Sequence, residues 1–160
     1  MTSTATLETF APAIPWPRKV PVLGVGVSVT TYEQATELII AAGKQRASAV
    51  VACQAVHAVV TAADDEALLL KVNSFELVTP DGQPVRWSMN LLHKTRLPER
   101  VYGPELMLRV CRAAAESGVS IYLYGGSEEV CEKLRTQLPE RFPGLVIAGA
   151  ESPPFRALTA

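Results

Sequence analysis

In Leu77-Val78-Thr79-Pro80-Asp81-Gly82-Gln83-Pro84-Val85-Arg86-Trp87, one carboxylate stands between a run of strand-forming residues and the start of a helix. Residues 75–79 are largely apolar and β-favouring, which predicts a short buried strand. Pro80 and Gly82 interrupt regular structure on either side of Asp81. Pro84 suits the first turn of the following helix, where its missing N–H costs nothing. Asp81 is thereby placed at the carboxyl end of a strand and ahead of a helix, where open α/β sheets bind ligands. The same residue could instead cap that helix or close an Asx turn. Spacing alone leaves both readings standing.

Upstream, residues 48–53 (Ser-Ala-Val-Val-Ala-Cys) predict another buried strand, with Gln54 just past its end. His57 follows in a short helical stretch with Val56, Val59 and Val60, either as a core or boundary residue or as a ligand contact. Asp64 or Asp65 can cap a further helix through Ala67, Leu68 and Leu70. Residues 20–29 read as a strand, or a strand with a bulge, containing Gly24 and Gly26. Val29 stands where a dinucleotide fingerprint needs its third glycine, which argues against an NAD-dependent oxidoreductase. Thr30-x-x-Glu33 predicts a capping box, followed by Ala35, Leu38, Ile39 and Ala42 at helical spacing and by Gly43 as the stop. Residues 1–19 are rich in Thr, Ala and Pro and lack the charged start and apolar run of a signal peptide. They read as a flexible leader.

Downstream, the helix after Asp81 carries Val85, Met89 and Leu92, with Trp87 beside the proposed site. Proline and glycine fix an irregular loop over residues 97–103, and Pro104 starts a helix to about Ser117, stopped by Gly118. Arg100 in that loop could clamp a phosphate or form a surface ion pair with Glu99 or Glu105. Residues 119–124 (Val-Ser-Ile-Tyr-Leu-Tyr) give the clearest strand signal. Gly125-Gly126-Ser127 then leads into a helix over residues 128–138 with Val130, Leu134 and Leu138 facing inward. Free amides and a helix dipole there suit a phosphate, although a tight β–α turn uses the same residues. Pro143-Gly144 turns into a last strand, residues 145–148. Alternating strands and helices predict an α/β fold: a Rossmann-like, mainly parallel sheet with helices on both faces.

Composition narrows the function classes. With 160 residues, 48% hydrophobic and 19% charged, the chain reads as one domain with a single core. A formal net charge of −1 supplies no overall basic field for nucleic acid. Cys53, Cys111 and Cys131 are too far apart for a zinc knuckle and odd in number, which fits a reducing cytoplasm.

Thr79-Pro80-Asp81-Gly82, the run from Leu97 through Pro98, Glu99, Arg100, Val101, Tyr102, Gly103, Pro104 and Glu105 to Leu106, Tyr122-Leu123-Tyr124-Gly125-Gly126 and Phe142-Pro143-Gly144-Leu145 together resemble the WecG/TagA/CpsF family of bacterial glycosyltransferases. The resemblance covers residues 20–160 and implies a hexosyltransferase of cell-envelope polysaccharide biosynthesis. It implies transfer of an N-acetylmannosamine-type sugar from a UDP-sugar donor to a polyprenyl-diphosphate-linked sugar acceptor, at the inner face of the cell membrane, without metal or cofactor. The family's Asp-Gly general base maps onto Asp81. Arg100 and the amides of Gly125, Gly126 and Ser127 are then candidates for the donor diphosphate, and Gln54 for substrate binding. The family carries Thr-x-Asn where this chain has Ala52-Cys53-Gln54, so the amide chemistry is kept with longer reach and the hydroxyl is absent.

Members of the family continue, beyond the position of Ala160, with another strand, a Pro-Lys-Gln-Glu element and often a membrane-docking segment. The resemblance therefore implies a C-terminally short domain over residues 20–160, with peripheral membrane contact, and self-association through the uncovered strands as a homo-oligomer. The alternative is a truncated, non-catalytic module that binds a nucleotide-sugar or a partner.

Overall fold

The computed structural model describes residues 13–154 and Arg156. Most of the expected leader, residues 1–12, lies outside the described residues. Trp16 already packs against a buried cluster, and strand β1 begins at Lys19.

Residues 20–29 form a hairpin rather than one strand. β1 (Lys19–Val22) and β2 (Val25–Ser28) pair antiparallel, with Val22 opposite Val25. Leu23 and Gly24 between them both have positive φ, 51° and 85°. Two such residues give a turn whose twist matches that of the strands, so the chain reverses where a bulge was expected.

Helix α1 (Tyr32–Gln45) is capped by Thr31, whose side chain accepts from the Gln34 amide, one residue later than the expected box. Gly43 does not stop it. A Cβ there would come within 3.0 Å of the Val119 side chain, so the glycine serves close packing, and Arg46 ends the helix in a left-handed conformation. β3 (Val51–Gln54) leads to α2 (Val56–Ala63), and Asp65 caps α3 (Glu66–Asn73) by accepting from the Leu68 amide. β4 (Leu77–Pro80) takes in Pro80 as its last residue. α4 (Gln83–His93) buries Val85 and Met89 but leaves Leu92 exposed.

α5 (Gly103–Ser117) ends at Gly118, and β5 (Ile121–Tyr124) starts two residues later than expected. Ser127 caps α6 (Glu128–Arg141), which buries Leu138 while Val130 is exposed. The last strand, β6 (Ile147–Glu151), is displaced from residues 145–148, because Leu145 turns into the core.

β3 and β4 pair parallel, as do β5 and β6, and among the described residues only the hairpin is antiparallel. On β4, Val78 joins a core with the hairpin and α2 to α4, whereas the adjacent Leu77 joins one with α1 and α5. Neighbouring side chains of a strand point to opposite faces, so both faces are covered by helices. This is the expected α/β, Rossmann-like arrangement. The two parallel pairs are not hydrogen-bonded to each other. That leaves a cleft between β3 and β5.

Candidate active site

Asp81 is the first residue after β4, and its position is fixed from both sides. Its amide donates to Gln54 O (3.2 Å) and to Thr79 O (2.9 Å), which ties it to the end of β3. Gly82, at φ 140°, precedes α4 without a side-chain cap, so Asp81 does not cap that helix. Its carboxylate turns to α5 instead, where Oδ2 accepts from the Gly103 amide at 3.1 Å. Oδ1 has no hydrogen-bond partner among the described residues. A carboxylate with one oxygen fixed and the other free, half-buried at a strand end, is placed to take a proton from a bound hydroxyl.

Gly103 allows this approach. A Cβ on it would lie 3.4 Å from Cys53 Sγ and 3.5 Å from Asp81 Oδ2, so any branched side chain would push the carboxylate away. Burial pushes the Cys53 thiol above its ordinary value, the Asp81 charge adds to this, and a hydrogen bond with Thr79 works against it. The thiol is open to solvent at the cleft wall yet surrounded on its other sides. It is a poor nucleophile in that setting.

The loop after α4 is held against the end of β4. Val101 N donates to Pro80 O (3.0 Å), and Thr79 Oγ1 donates to Val101 O (3.2 Å). Arg100, next to Val101, lies over the Tyr102 ring at 4.7 Å. Among the described residues it has no ion pair; Glu105 is bound by Arg109, which also pairs with Glu33. The surface-pair alternative for Arg100 is therefore absent there. Gln54 is the last residue of β3, and its Oε1 is buried without a partner.

Asp81, Gln54 and Arg100 thus share the end of the β3–β4 pair. Gly125 and Gly126 stand across the cleft, a space of about 580 Å³ walled also by Cys53, Gly103 and Tyr122. Ser127 faces away into a separate concavity with Glu128, Glu129 and Arg156. The Gly125 amide is spent on Glu151 O (2.9 Å) and the Ser127 hydroxyl on the Val130 amide (3.3 Å). The amides of Gly126 and Ser127 donate to nothing among the described residues. Glu128 and Glu129 already bring negative charge to the first turn of α6. His57 is exposed, so the core reading of it does not hold.

Residues 20–160 match the family described as the glycosyl transferase WecG/TagA/CpsF family. The chain belongs to that family. No curated protein matches the chain. Membership makes the fold that of a glycosyltransferase domain of polysaccharide biosynthesis.

Several residues that hold the loop beside this candidate site do not stand out in the sequence. Arg86 Nη1 donates to Leu97 O (3.1 Å) and Pro98 O (2.7 Å). Asn90 Nδ2 donates to Leu97 O, and its Oδ1 accepts from Thr95 and from the Leu97 amide. Arg86 and Asn90 sit four apart on one side of α4, and that polar i,i+4 pair was the available clue. Tyr32 Oη accepts from the Tyr102 amide at 2.9 Å, a contact with no local signature. No helix among the described residues is long and apolar enough to cross a membrane.

Proposed function

We propose that this domain transfers an N-acetylmannosamine-type sugar from a UDP-sugar to a lipid-linked sugar acceptor, with Asp81 as general base. The observation that carries the reading is the Asp81 carboxylate, fixed through Oδ2 by the Gly103 amide and free at Oδ1. In the reaction the acceptor hydroxyl attacks the anomeric carbon and its proton passes to Asp81. The bond from that carbon to the UDP oxygen breaks, and the electron pair leaves with the diphosphate. Arg100, whose guanidinium has no carboxylate partner among the described residues, and the open amide of Gly126 across the cleft are the groups available to that charge. The buried, unpartnered Oε1 of Gln54 is suited to accept from a sugar hydroxyl or amide.

UDP-N-acetylmannosamine titration with a product assay on a polyprenyl-diphosphate-linked sugar tests this. Saturable binding with turnover, lost in Asp81→Asn, is the expected result. Binding without product in the parent chain makes it a nucleotide-sugar-binding module instead.

A further inference from the structure

Two consecutive amides at the start of α5 find their acceptors on other elements. Tyr102, which opens the helix, provides no side-chain cap. Its amide donates to Tyr32 Oη at 2.9 Å, and the next one, that of Gly103, donates to Asp81 Oδ2 at 3.1 Å. The first N–H groups of a helix need acceptors from outside it. Here α1 supplies one, and the proposed base is the other.

The peptide between Val101 and Tyr102 is held on both sides. Thr79 Oγ1 donates to its carbonyl oxygen at 3.2 Å, and Tyr32 Oη accepts from its N–H. Thr79 is fully buried on β4, two residues before Asp81. A peptide group is planar, so fixing its two polar atoms fixes its orientation. The Gly103 amide, one residue further on, then keeps its aim at the carboxylate.

Tyr32 is itself fixed. It is 5% exposed and packs among Ala35, Leu77, Val101 and Leu106. Arg109 of α5 lies over its ring at 4.4 Å. That guanidinium is bound in turn by Glu105 of α5 at 2.8 Å and by Glu33 of α1 at 2.9 Å. Packing and the cation over the ring together set where the hydroxyl points.

We propose that Tyr32 is the positioning residue of Asp81: its hydroxyl holds the Val101–Tyr102 peptide so that the Gly103 amide fixes the carboxylate. The role rests on the reading of Asp81 as general base. Tyr32 reaches that base only through the backbone. Arg100 lies on the other side of Val101, whose own amide is bound by Pro80 O at 3.0 Å, so the donor end of the loop keeps its place without Tyr32. Loss of the hydroxyl should therefore tell on turnover and not on donor binding.

Tyr32→Phe in the full chain, which keeps the ring and its packing, tests this. In proton–nitrogen NMR the Gly103 amide, assigned by its displacement in Asp81→Asn, should lose most of the shift that the carboxylate causes. The Tyr102 and Gly103 amides should exchange with solvent about tenfold faster or more, while those of α2 and α3 do not change. In the transfer assay kcat should fall on the order of tenfold with KM for the UDP-sugar unchanged. Tyr32→Phe combined with Asp81→Asn should be no slower than Asp81→Asn alone, whereas a residue that only stabilised the fold would multiply the two losses. The NMR measurement needs no turnover. The expected Gly103 response in a chain that forms no product removes the transfer reading and leaves Tyr32 as the residue that positions Asp81. If Tyr32→Phe does not fold, Arg109→Gln, which frees the ring and keeps the hydroxyl, should give the same changes in smaller measure. An unmoved Gly103 signal in the folded variant, or losses that multiply, overturns the proposal.

Discussion

A single hydrogen bond of 3.1 Å, from the Gly103 amide to Asp81 Oδ2, orients the proposed base. Asp81→Asn keeps the size of the side chain and removes its ability to take a proton. Transfer should fall by ~10²–10⁴-fold with little change in melting temperature. A variant retaining more than about half the parent turnover would remove Asp81 from the chemistry. Gly103→Val tests the same geometry from the other side. Its branched side chain meets Cys53 and Asp81, so turnover should fall while UDP affinity changes little. Arg100 bears on donor affinity instead. Arg100→Ala should cost on the order of 1.5–3 kcal/mol in UDP-sugar binding, read by calorimetry, and equal affinity would exclude it from the site.

One element, α4, holds the loop that carries Arg100. Asn90 satisfies the Leu97 amide and carbonyl and the Thr95 hydroxyl at once, and Arg86 shares the Leu97 carbonyl and holds that of Pro98. Asn90→Ala leaves the amide of the buried Leu97 and the Thr95 hydroxyl without their acceptor, while the Leu97 carbonyl keeps only Arg86. A stability loss of about 1–3 kcal/mol is expected in urea unfolding. The loop position should suffer with it, so UDP affinity falls although Asn90 itself is remote from the donor. Unchanged affinity together with the stability loss would separate loop anchoring from donor binding. The helix was legible from Pro84, Val85 and Met89. Its outward apolar side was not, because Leu92 follows the same spacing as the core residues and yet stands in solvent. Periodicity gives a helix face; it does not say what covers it.

At the scale of the whole molecule, two thiols set a pH dependence. Burial raises Cys111, and burial with the Asp81 charge raises Cys53. The folded chain therefore holds these protons longer than the unfolded chain does. The stability they contribute is intact below the unfolded thiol value of about 8.5 and is lost as pH rises from there through the folded values. Melting temperature should be level near neutrality and decline in alkali. Cys53→Ala should flatten that decline, as thermal scans across the alkaline range would show. Parallel declines in parent and variant would mean that Cys53 does not titrate differently on folding.

Local chemistry in the sequence settled most of the strands and helices and where many of them end, the hairpin of β1 and β2 excepted. Thr31, Asp65 and Ser127 cap their helices with their own side chains, and Gly118 takes the left-handed turn that other residues resist. It also placed Asp81 at a strand end, since Pro80 and Gly82 act on their immediate neighbours. Tertiary structure alone decided that the Asp81 carboxylate turns to Gly103, 22 residues on, rather than to α4. It decided that Val101 lies along Pro80, and that β3 and β5 part to open a cleft toward Gly125 and Gly126. These are contacts between residues distant in the chain, set by how packed faces meet. Hydrophobic period and capping report on a few neighbouring residues, and such pairings leave no trace at that range.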